Sequence, residues 1–263
     1  MEIYTVDLLS PSGVVEYPAY KSQQAELESA GNLMPIAFYP FDGDSALQVV
    51  GVRLTSASMS KDLPVNIPLS LFVGDVVTFG VGMLSIDEAK PSIQRGAAYV
   101  AQVRARQALV ELMEDESPYY ATQTMPEPDN DFSAVFVSSS HQNPNYFNTG
   151  YVDGVRFYDF ACSADVLFIR SAATAHQFLS AFLAVLSGRR GRYWQFDRNI
   201  TIQKCGEVEN STPLISGRVY QQMAQVSLTM TFTFRHYETE GWLTSATVNE
   251  ECSSVTVTAT GEK

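Results

Sequence analysis

The sequence is poor in cysteine and histidine, the side chains that most often bind zinc and other transition metals. Among its 263 residues there are 3 cysteines and 3 histidines. Cys162, Cys205 and Cys252 are far apart and odd in number, so they form neither a paired zinc motif nor a disulfide framework. We interpret them as buried or incidental thiols of a reducing compartment.

The histidines and glycines give no sign of a bound metal or nucleotide. His141, His176 and His236 are scattered, and a metal site would require all three to converge. The phosphate-binding patterns GxxxxGK[ST] and GxGxxG do not occur. We therefore predict no metal and no cofactor.

Basic charge is also scarce. Lys plus Arg is 17 and Asp plus Glu is 29, which leaves a net charge of −12. A protein that binds nucleic acid tightly neutralises phosphates with cations, so this excess of acidic residues argues against specific DNA binding. A channel that lets DNA slide is a different case, because an acidic wall repels the phosphates.

Long hydrophobic runs are missing as well. The start, Met1–Tyr4, has no basic stretch followed by an apolar run, so no signal peptide is predicted. The longest apolar helical stretch, Phe178–Leu186, is too short to span a bilayer and is typical of a core helix.

What is present is ordinary core-forming material, with 45% hydrophobic and 17% charged residues. The first part reads as β structure, with strands separated by turn signals. Predicted strands are Ile3–Val6, Pro35–Tyr39, Leu47–Leu54, Val65–Phe72 and Val76–Val81, with a short helix at Ser22–Ser29. We predict a small β-rich accessory domain over residues 1–90.

Residues 91–250 change character. Pro91 predicts a helix beginning at Ser92 or Ile93, because proline suits the first helical turn. Its apolar stripe comprises Ile93, Ala97, Val100, Val103, Gln107, Val110 and Met113. Residues 117–131, with Pro118, Pro126 and Pro128, predict an extended connection. A strand at Ala134–Ser138 and a projecting loop at His141–Gly150 follow.

The remainder alternates strand, helix and strand. Val152–Arg170 predicts a strand that is broken or bulged near Cys162 and Ser163, and Ser171 or Thr174 can cap the next helix. That helix has an apolar face made of Ala175, Phe178, Leu179, Phe182, Val185 and Leu186, and Gly188 ends it.

The clearest strand is Val226–His236. One face carries Val226, Leu228, Met230, Phe232 and Phe234, and the other carries Ser227, Thr229, Thr231, Thr233 and Arg235. The chain therefore predicts an α+β fold, a mostly antiparallel sheet with helices on one face. Residues 251–263 are predicted to be a loose tail or an added edge strand.

Three local sequence patterns raise the question of a catalytic, metal-binding or docking function. Gly43-Asp44-Ser45-Ala46-Leu47 matches the GDSxL string of a family of serine esterases, but the Asp-x-x-His pair those enzymes need is missing. Asp42-Gly43-Asp44 begins like a calcium loop, but Arg53 stands where the twelfth-position Glu is required. Both are better read as turns.

The third pattern is the only concentrated basic cluster, Arg189, Arg190 and Arg192. Its simplest interpretation is cations placed beside a helix C-terminus. The alternative is a docking patch for an acidic neighbour, such as another copy of this chain. Contact with DNA is a further alternative.

The stretch from about Ser92 to Val248 resembles the neck and tail terminator proteins of long-tailed bacteriophages. The resemblance rests on an N-terminal helix, a proline-rich connection, Tyr151–Asp153, and a strand ending in Val166–Arg170. The apolar helix Ala175–Leu186 follows, and then the alternating strand Gln225–His236 runs into Glu240–Leu243, an acidic-Gly-Trp-Ile/Leu ending that recurs in the family.

The resemblance implies a structural virion protein rather than an enzyme. Members form hexameric rings that cap the tail tube and join it to the head connector, and DNA passes through without specific binding. The implied partners are further copies of the chain, the tail tube protein and connector proteins, with no membrane, and the location is the virion after synthesis in the host cytoplasm. No catalytic residues come with the family.

The residues we expect at subunit or partner contacts are Arg189, Arg190, Arg192, Thr229, Thr231, Thr233 and Arg235. Residues 1–90 do not match the compact terminators. Other tail structural roles (tube, baseplate or connector adaptor) stay open, as do a hydrolase using Ser45 and a small-molecule binding module in the first domain.

Overall fold

The structure is a computed structural model of the chain. It describes residues 3–15, 23–26, 36–38, 40–43, 45–80, 90–115, 118–121, 131–152, 155–211, 214–215, 218–219, 222–238, 246–250 and 253–257. Several predicted features lie outside these residues: most of the proline-rich connection, Glu240–Leu243, Cys252 and the last residues of the tail.

The first part of the chain is strand. Its strands are β1 (Ile3–Ser10), β2 (Gly13–Val14), β3 (Gln23–Glu26), β4 (Ile36–Ala37), β5 (Leu47–Thr55), β6 (Ser60–Leu71), β7 (Val76–Gly80) and β8 (Lys90–Gln94). One sheet has the order β2-β1-β5-β6, with β3 also on β1, and a second has the order β4-β7-β8. Alternate side chains of these strands meet in one core that includes Tyr4, Val52, Leu54 and Phe79.

One helix prediction in this part is wrong, and a second places the start of its helix too early. The residues Gln23–Glu26 of the predicted Ser22–Ser29 helix form β3, which pairs antiparallel with β1. The helix predicted from Ser92 begins only at Ala97, because Pro91–Gln94 belong to β8. β8 lies at the edge of the described sheet, where a proline breaks no ladder of hydrogen bonds.

The second part has three helices among the described residues: α1 (Ala97–Met113), α2 (Ala175–Ser187) and α3 (Arg189–Asp197). Its strands are β9 (Tyr119–Tyr120), β10 (Phe132–Val152), β11 (Val155–Ser171), β12 (Ile200–Cys205), β13 (Glu209–Asn210), β14 (Leu214–Ile215), β15 (Arg218–Val219), β16 (Met223–Tyr237), β17 (Ala246–Glu250) and β18 (Ser253–Val257). The large sheet has the order β12-β16-β11-β10-β9, with β13 also on β16.

The central strands follow the predicted alternation. In β16 the predicted apolar face is buried, and its neighbours in sequence are exposed or half-buried. The bulge predicted near Cys162 and Ser163 is wrong, since β11 pairs with β16 without a register shift from Phe157 to Ser171. The irregularities lie in β10 instead, which contains the whole of the predicted loop His141–Gly150.

The helix α2 confirms its prediction closely. It follows the N-cap Thr174 and ends before Gly188, although the Thr174 side chain makes no capping hydrogen bond. Ala175, Leu179, Phe182 and Leu186 are buried against the sheet core. Helix α3 follows at once and was not predicted.

Helix α1 lies between the two cores and is buried almost all round. Ala101, Ala105, Ala108 and Leu109 pack into the core of the large sheet. The opposite side faces the first part of the chain, where Arg106 binds Asp42. The molecule is thus of mixed α and β content, mostly strand, with mostly antiparallel sheets.

Candidate functional site

The junction of α2 and α3 sets the position of the predicted arginine cluster. Gly188 is both the C-cap of α2 and the N-cap of α3, so the chain turns from one helix into the next without a loop. Gly191 makes this possible, because a Cβ there would lie 2.4 Å from the carbonyl oxygens of Val185 and Leu186. The three arginines therefore lie in the first turn of α3 and do not simply follow the C-terminus of α2.

Two of the three arginines neutralise helix ends. Arg190 Nη2 donates to the carbonyl oxygen of Glu111, near the end of α1, at 2.7 Å. Arg192 Nε donates to the carbonyl oxygen of Ser187, the last residue of α2, at 3.3 Å. Cations at these negative helix ends are favourable, so the simplest reading of the cluster holds for part of it.

The outer side of α3 is an aromatic and cationic surface, defined by Arg189, Arg192, Tyr193 and Phe196 and called the α3 surface below. Tyr193 is 57% exposed and Phe196 is 80% exposed. Arg189 donates to the Tyr193 hydroxyl at 3.3 Å and lies over its ring at 5.4 Å. Together with Ser187 these residues line a cleft of about 590 Å³. An exposed pairing of aromatic rings with arginines is the composition that interface cores favour.

The rest of α3 is held to α1 by one carboxylate that sequence reasoning missed. Glu111 accepts a hydrogen bond from Trp194 Nε1 at 2.8 Å and another from Arg198 Nη2 at 2.8 Å. The pattern of apolar residues along α1 predicts that Glu111 is an ordinary surface residue. Its partners are more than eighty positions later in the chain, so no local signal identifies it.

The second predicted surface is the polar side of the large sheet, made of Thr229, Thr231, Thr233 and Arg235 and their neighbours on β11. Thr229 Oγ1 donates to Asp165 at 2.7 Å, and Ser139 Oγ donates to the other oxygen of the same carboxylate at 2.8 Å. The hydrogen bonds from Thr229 and then Ser139 hold the pKa of Asp165 below its ordinary value.

Arg235 is paired rather than free. Its Nε and Nη2 reach the two oxygens of Asp159 at 2.7 and 2.9 Å, and it lies 3.7 Å over the ring of Phe157. Burial alone raises the pKa of Asp159, but hydrogen bonds from Arg235 and Asn148 and the charge of Arg235 lower it overall. The hydrogen bond to Asp159 in turn raises the pKa of Arg235.

A cleft of about 300 Å³ opens between this surface and the first part of the chain. At one end Phe72 of the first part stacks on Tyr237 of β16, with the ring centroids 3.8 Å apart. Ser45 is exposed at the cleft, and the described residues that line it include no histidine to activate its hydroxyl. The lining of this cleft shares no described residue with the cleft of the α3 surface, so the predicted residues form two separate surfaces.

The described residues contain no cluster of three or more His, Cys, Asp or Glu side chains that could hold a metal ion. Cys162 is buried, which raises its pKa to about 11 and makes it a poor nucleophile. Cys205 is exposed. As far as the structure describes the helices, none is long and apolar enough to cross a membrane.

Residues 105–259 match the family model for the phage neck terminator protein. The match covers more than half of the chain. It begins inside α1 and takes in the large sheet, both of the later helices and β18. No curated protein matches the chain.

Proposed function

Because this chain belongs to the phage neck terminator family, we propose that it forms a ring that caps the tail tube and joins it to the head connector, with DNA passing through the lumen. The family assignment itself makes the chain a structural protein of the phage neck or tail, and the family is not one of enzymes. The ring, the lumen and the partners on either side are our proposal. A hexamer is the state expected for it.

The observation that carries the proposal is the extent of the family match. It spans the entire large sheet, the second half of α1, and α2 and α3, which hold both predicted contact surfaces. We propose further that the helices cover one face of this sheet. In support, the apolar face of β16 packs with both α1 and α2, while Thr229, Thr231 and Thr233 lie on the other face.

The first 90 residues lie outside the matched range, and we propose that they form a β-rich accessory domain on the ring. Their apolar side chains make a core of their own, separate from that of the large sheet. Residues 91–250 are the proposed terminator domain, except that β8 (Lys90–Gln94) pairs with β7 and belongs to the sheet of the first part. Residues 251–263 are the proposed C-terminal tail, in which β18 pairs back on β17.

The α3 surface is the proposed docking patch for a neighbouring subunit or neck protein. Arg189 and Arg192 give it positive charge within a chain of net charge −12, so an acidic surface of another copy is an electrostatically complementary partner. Tyr193 and Phe196 supply apolar area that burial would stabilise.

The polar side of the sheet suits a surface turned to the lumen or to a neighbour. Its one arginine among the predicted residues is paired with Asp159, and the other three side chains are threonines. Such a surface offers DNA few cations to hold, and the net acidity of the chain adds repulsion.

The experiment that tests the ring is the mass of the purified chain by light scattering, with negative-stain imaging of the species found. A discrete ring near six times 29.0 kDa supports the proposal. A chain that stays monomeric is then mixed with purified tail tubes. A monomer that also fails to bind the tube ends overturns the proposal.

Charge reversal tests the docking patch. Arg189→Glu with Arg192→Glu replaces both cations of the α3 surface, and we expect the ring or its attachment to the neck to be lost while the fold persists. The measurement is ring mass and tube-end binding, with circular dichroism to check folding.

The matched control reverses two half-buried cations of the first sheet, Arg53→Glu with Lys61→Glu, and makes the same change in net charge. We expect the control to assemble normally. Intact assembly and docking of the α3 variant would refute the docking role of this patch.

A further inference from the structure

We propose that the outer edge of β10, between Asn148 and Val152 and with the flanking Phe147, pairs with a strand of a second copy of this chain. At this contact two copies of the chain would join. That the partner is a second copy rests on the ring proposed above. Four properties of β10 carry it: a free edge, exposed faces, exposed apolar side chains and a lack of charge.

The free edge comes from the order of the large sheet. On one side β10 pairs with β11 along its length. On the other side, within the described part of the chain, only β9 pairs with it, and only at Ala134 and Val135. Beyond these residues, the backbone N–H and C=O groups of residues 148–152 that point away from β11 are therefore available to another strand.

The exposure of β10 is unusual for a long strand. Every residue from 138 to 149 is exposed, so neither face of this stretch is fully covered by the described residues. A strand of a stable sheet ordinarily buries at least one face. Partner strands or surfaces would complete this burial.

The apolar side chains concentrate toward the end of the hairpin. Phe147 is 63% exposed and Tyr151 is 66% exposed, and Val152 is 36% exposed. Tyr146 differs, because its ring packs across the hairpin on Tyr158 with the centroids 5.1 Å apart. Phe147 and Tyr151 thus project without a ring partner among the described residues and are suited to burial by a neighbour.

The lack of charge on β10 indicates which kind of molecule this neighbour is. From Phe132 to Val152 there is no Asp, Glu, Lys or Arg, which is the longest uncharged run of the sequence. The next two such runs lie largely in α2 and β16, which pack into the core. Natural edge strands usually carry charges, lysine above all, that prevent association.

DNA or an anionic membrane would require cations that β10 does not have. Two copies of a chain with net charge −12 repel each other overall, and a neutral contact surface such as β10 adds no further repulsion where they meet. A second copy is therefore the occupant that the charges favour.

The pairing segment is restricted by the irregularities of the strand. Pro144 and the register shifts between Gln142 and Asn148 interrupt the ladder, and proline has no N–H to donate. Beyond them the pairing with β11 is regular from Asn148 to Val152. This short, regular segment beside the exposed aromatics is the part we assign to the contact.

The test places charge on the edge. Phe147→Lys with Tyr151→Lys removes the exposed rings and adds the residue that protects edge strands. We expect the concentration needed for self-association to rise by about tenfold or more, as for the loss of interface hot spots. The control, Asn66→Lys with Ile67→Lys, adds the same charge to exposed positions of β6 and removes a side chain that is 73% exposed.

Hydrogen exchange of the unaltered chain gives an independent readout that does not depend on a variant. Among residues 148–152, the amides that point away from β11 should exchange about tenfold more slowly at high protein concentration than in dilute solution, because pairing with a second copy protects them. Amides of β6 should not change.

The outcomes separate this inference from the ring itself. A β10 variant that is folded but monomeric, beside a control that assembles, supports the pairing. A β10 variant that forms rings like the unaltered chain overturns the pairing and leaves the ring proposal standing. If the β10 amides of the unaltered chain exchange equally fast at all protein concentrations, the pairing is also overturned. This result does not depend on whether the chain binds the tail tube.

Discussion

At the scale of single residues, the polar side of the large sheet depends on two carboxylates. Asp165 joins β10, β11 and β16 through hydrogen bonds from Ser139 and Thr229. Asp159 joins the same strands through Asn148 and Arg235. The predicted threonines and arginine are thus held by aspartates that the alternation of β16 alone does not reveal.

The Asp159–Arg235 pair should make stability depend on pH. The pKa of Asp159 is lowered from 3.8 in the folded chain, so the stabilisation is present at pH values above 3.8 and is lost as the pH falls through the lower, folded value. We expect Asp159→Asn to lower the free energy of unfolding by about 1 kcal/mol at pH 7, a modest figure because Arg235 is partly exposed. Urea denaturation at pH 7 and at pH 3 measures this, and a loss of equal size at both pH values would contradict the linkage.

Gly191 is a second residue with a specific steric role. We expect Gly191→Ala to lower the free energy of unfolding by about 1–3 kcal/mol, because the added Cβ must displace the backbone at the end of α2. Thermal and urea denaturation give the measurement. Gly96→Ala is the control, since the nearest atom to its Cβ would be 3.8 Å away, and we expect only the smaller cost of alanine at the N-cap of α1.

At the scale of elements, the attachment of α3 to α1 through Glu111 positions the α3 surface. Glu111→Ala leaves Trp194 Nε1 and Arg198 without this acceptor, so we expect a loss of about 1–2 kcal/mol and a red shift of tryptophan fluorescence. Denaturation followed by fluorescence tests both.

Glu114→Ala provides the comparison for Glu111. Its side chain is 85% exposed and reaches Arg190 only at 4.0 Å, so its removal should cost little. Equal effects of the two changes would mean that Glu111 does not hold α3.

At the scale of the whole molecule, α1 connects two hydrophobic cores. Arg106 Nη1 binds Asp42 at 2.9 Å and its Nε donates to the carbonyl oxygen of Pro118 at 2.8 Å, while Gln107 donates to the carbonyl oxygen of Asp42. The side chains of the ion pair are only 8% and 11% exposed. A buried guanidinium without its carboxylate is strongly destabilising.

We expect Asp42→Asn to lower the free energy of unfolding by about 3 kcal/mol, and to separate the unfolding of the two cores into two transitions. Calorimetry measures both effects. Asp62→Asn is the control, because its pair with Arg53 is exposed and should contribute little. A single, unshifted transition in the Asp42 variant would show that this pair does not couple the cores.

Elements with long, local patterns of apolar residues could be predicted from the sequence alone. The alternation of β16 and the apolar face of α2 were predictable, because burial on one side imposes a period of 2 on a strand and of 3.6 on a helix. Family membership also followed from the order of these elements, and the family match confirms it. The absence of charged residues from Phe132 to Val152 is visible in the sequence. That these residues form an exposed edge strand is not.

Features that depend on partners distant in the sequence follow from the three-dimensional packing. β8 and β3 are strands because β7 and β1 pair with them, against local signals that favoured helices. Residues 141–150 carry turn residues yet lie in β10, because β11 offers a continuous ladder that outweighs their propensity. The burial of Arg106 and the role of Glu111 follow from partners far along the chain, which no local pattern encodes. Short-range periodicity therefore fixes which face of an element is apolar, and the three-dimensional packing decides what meets it.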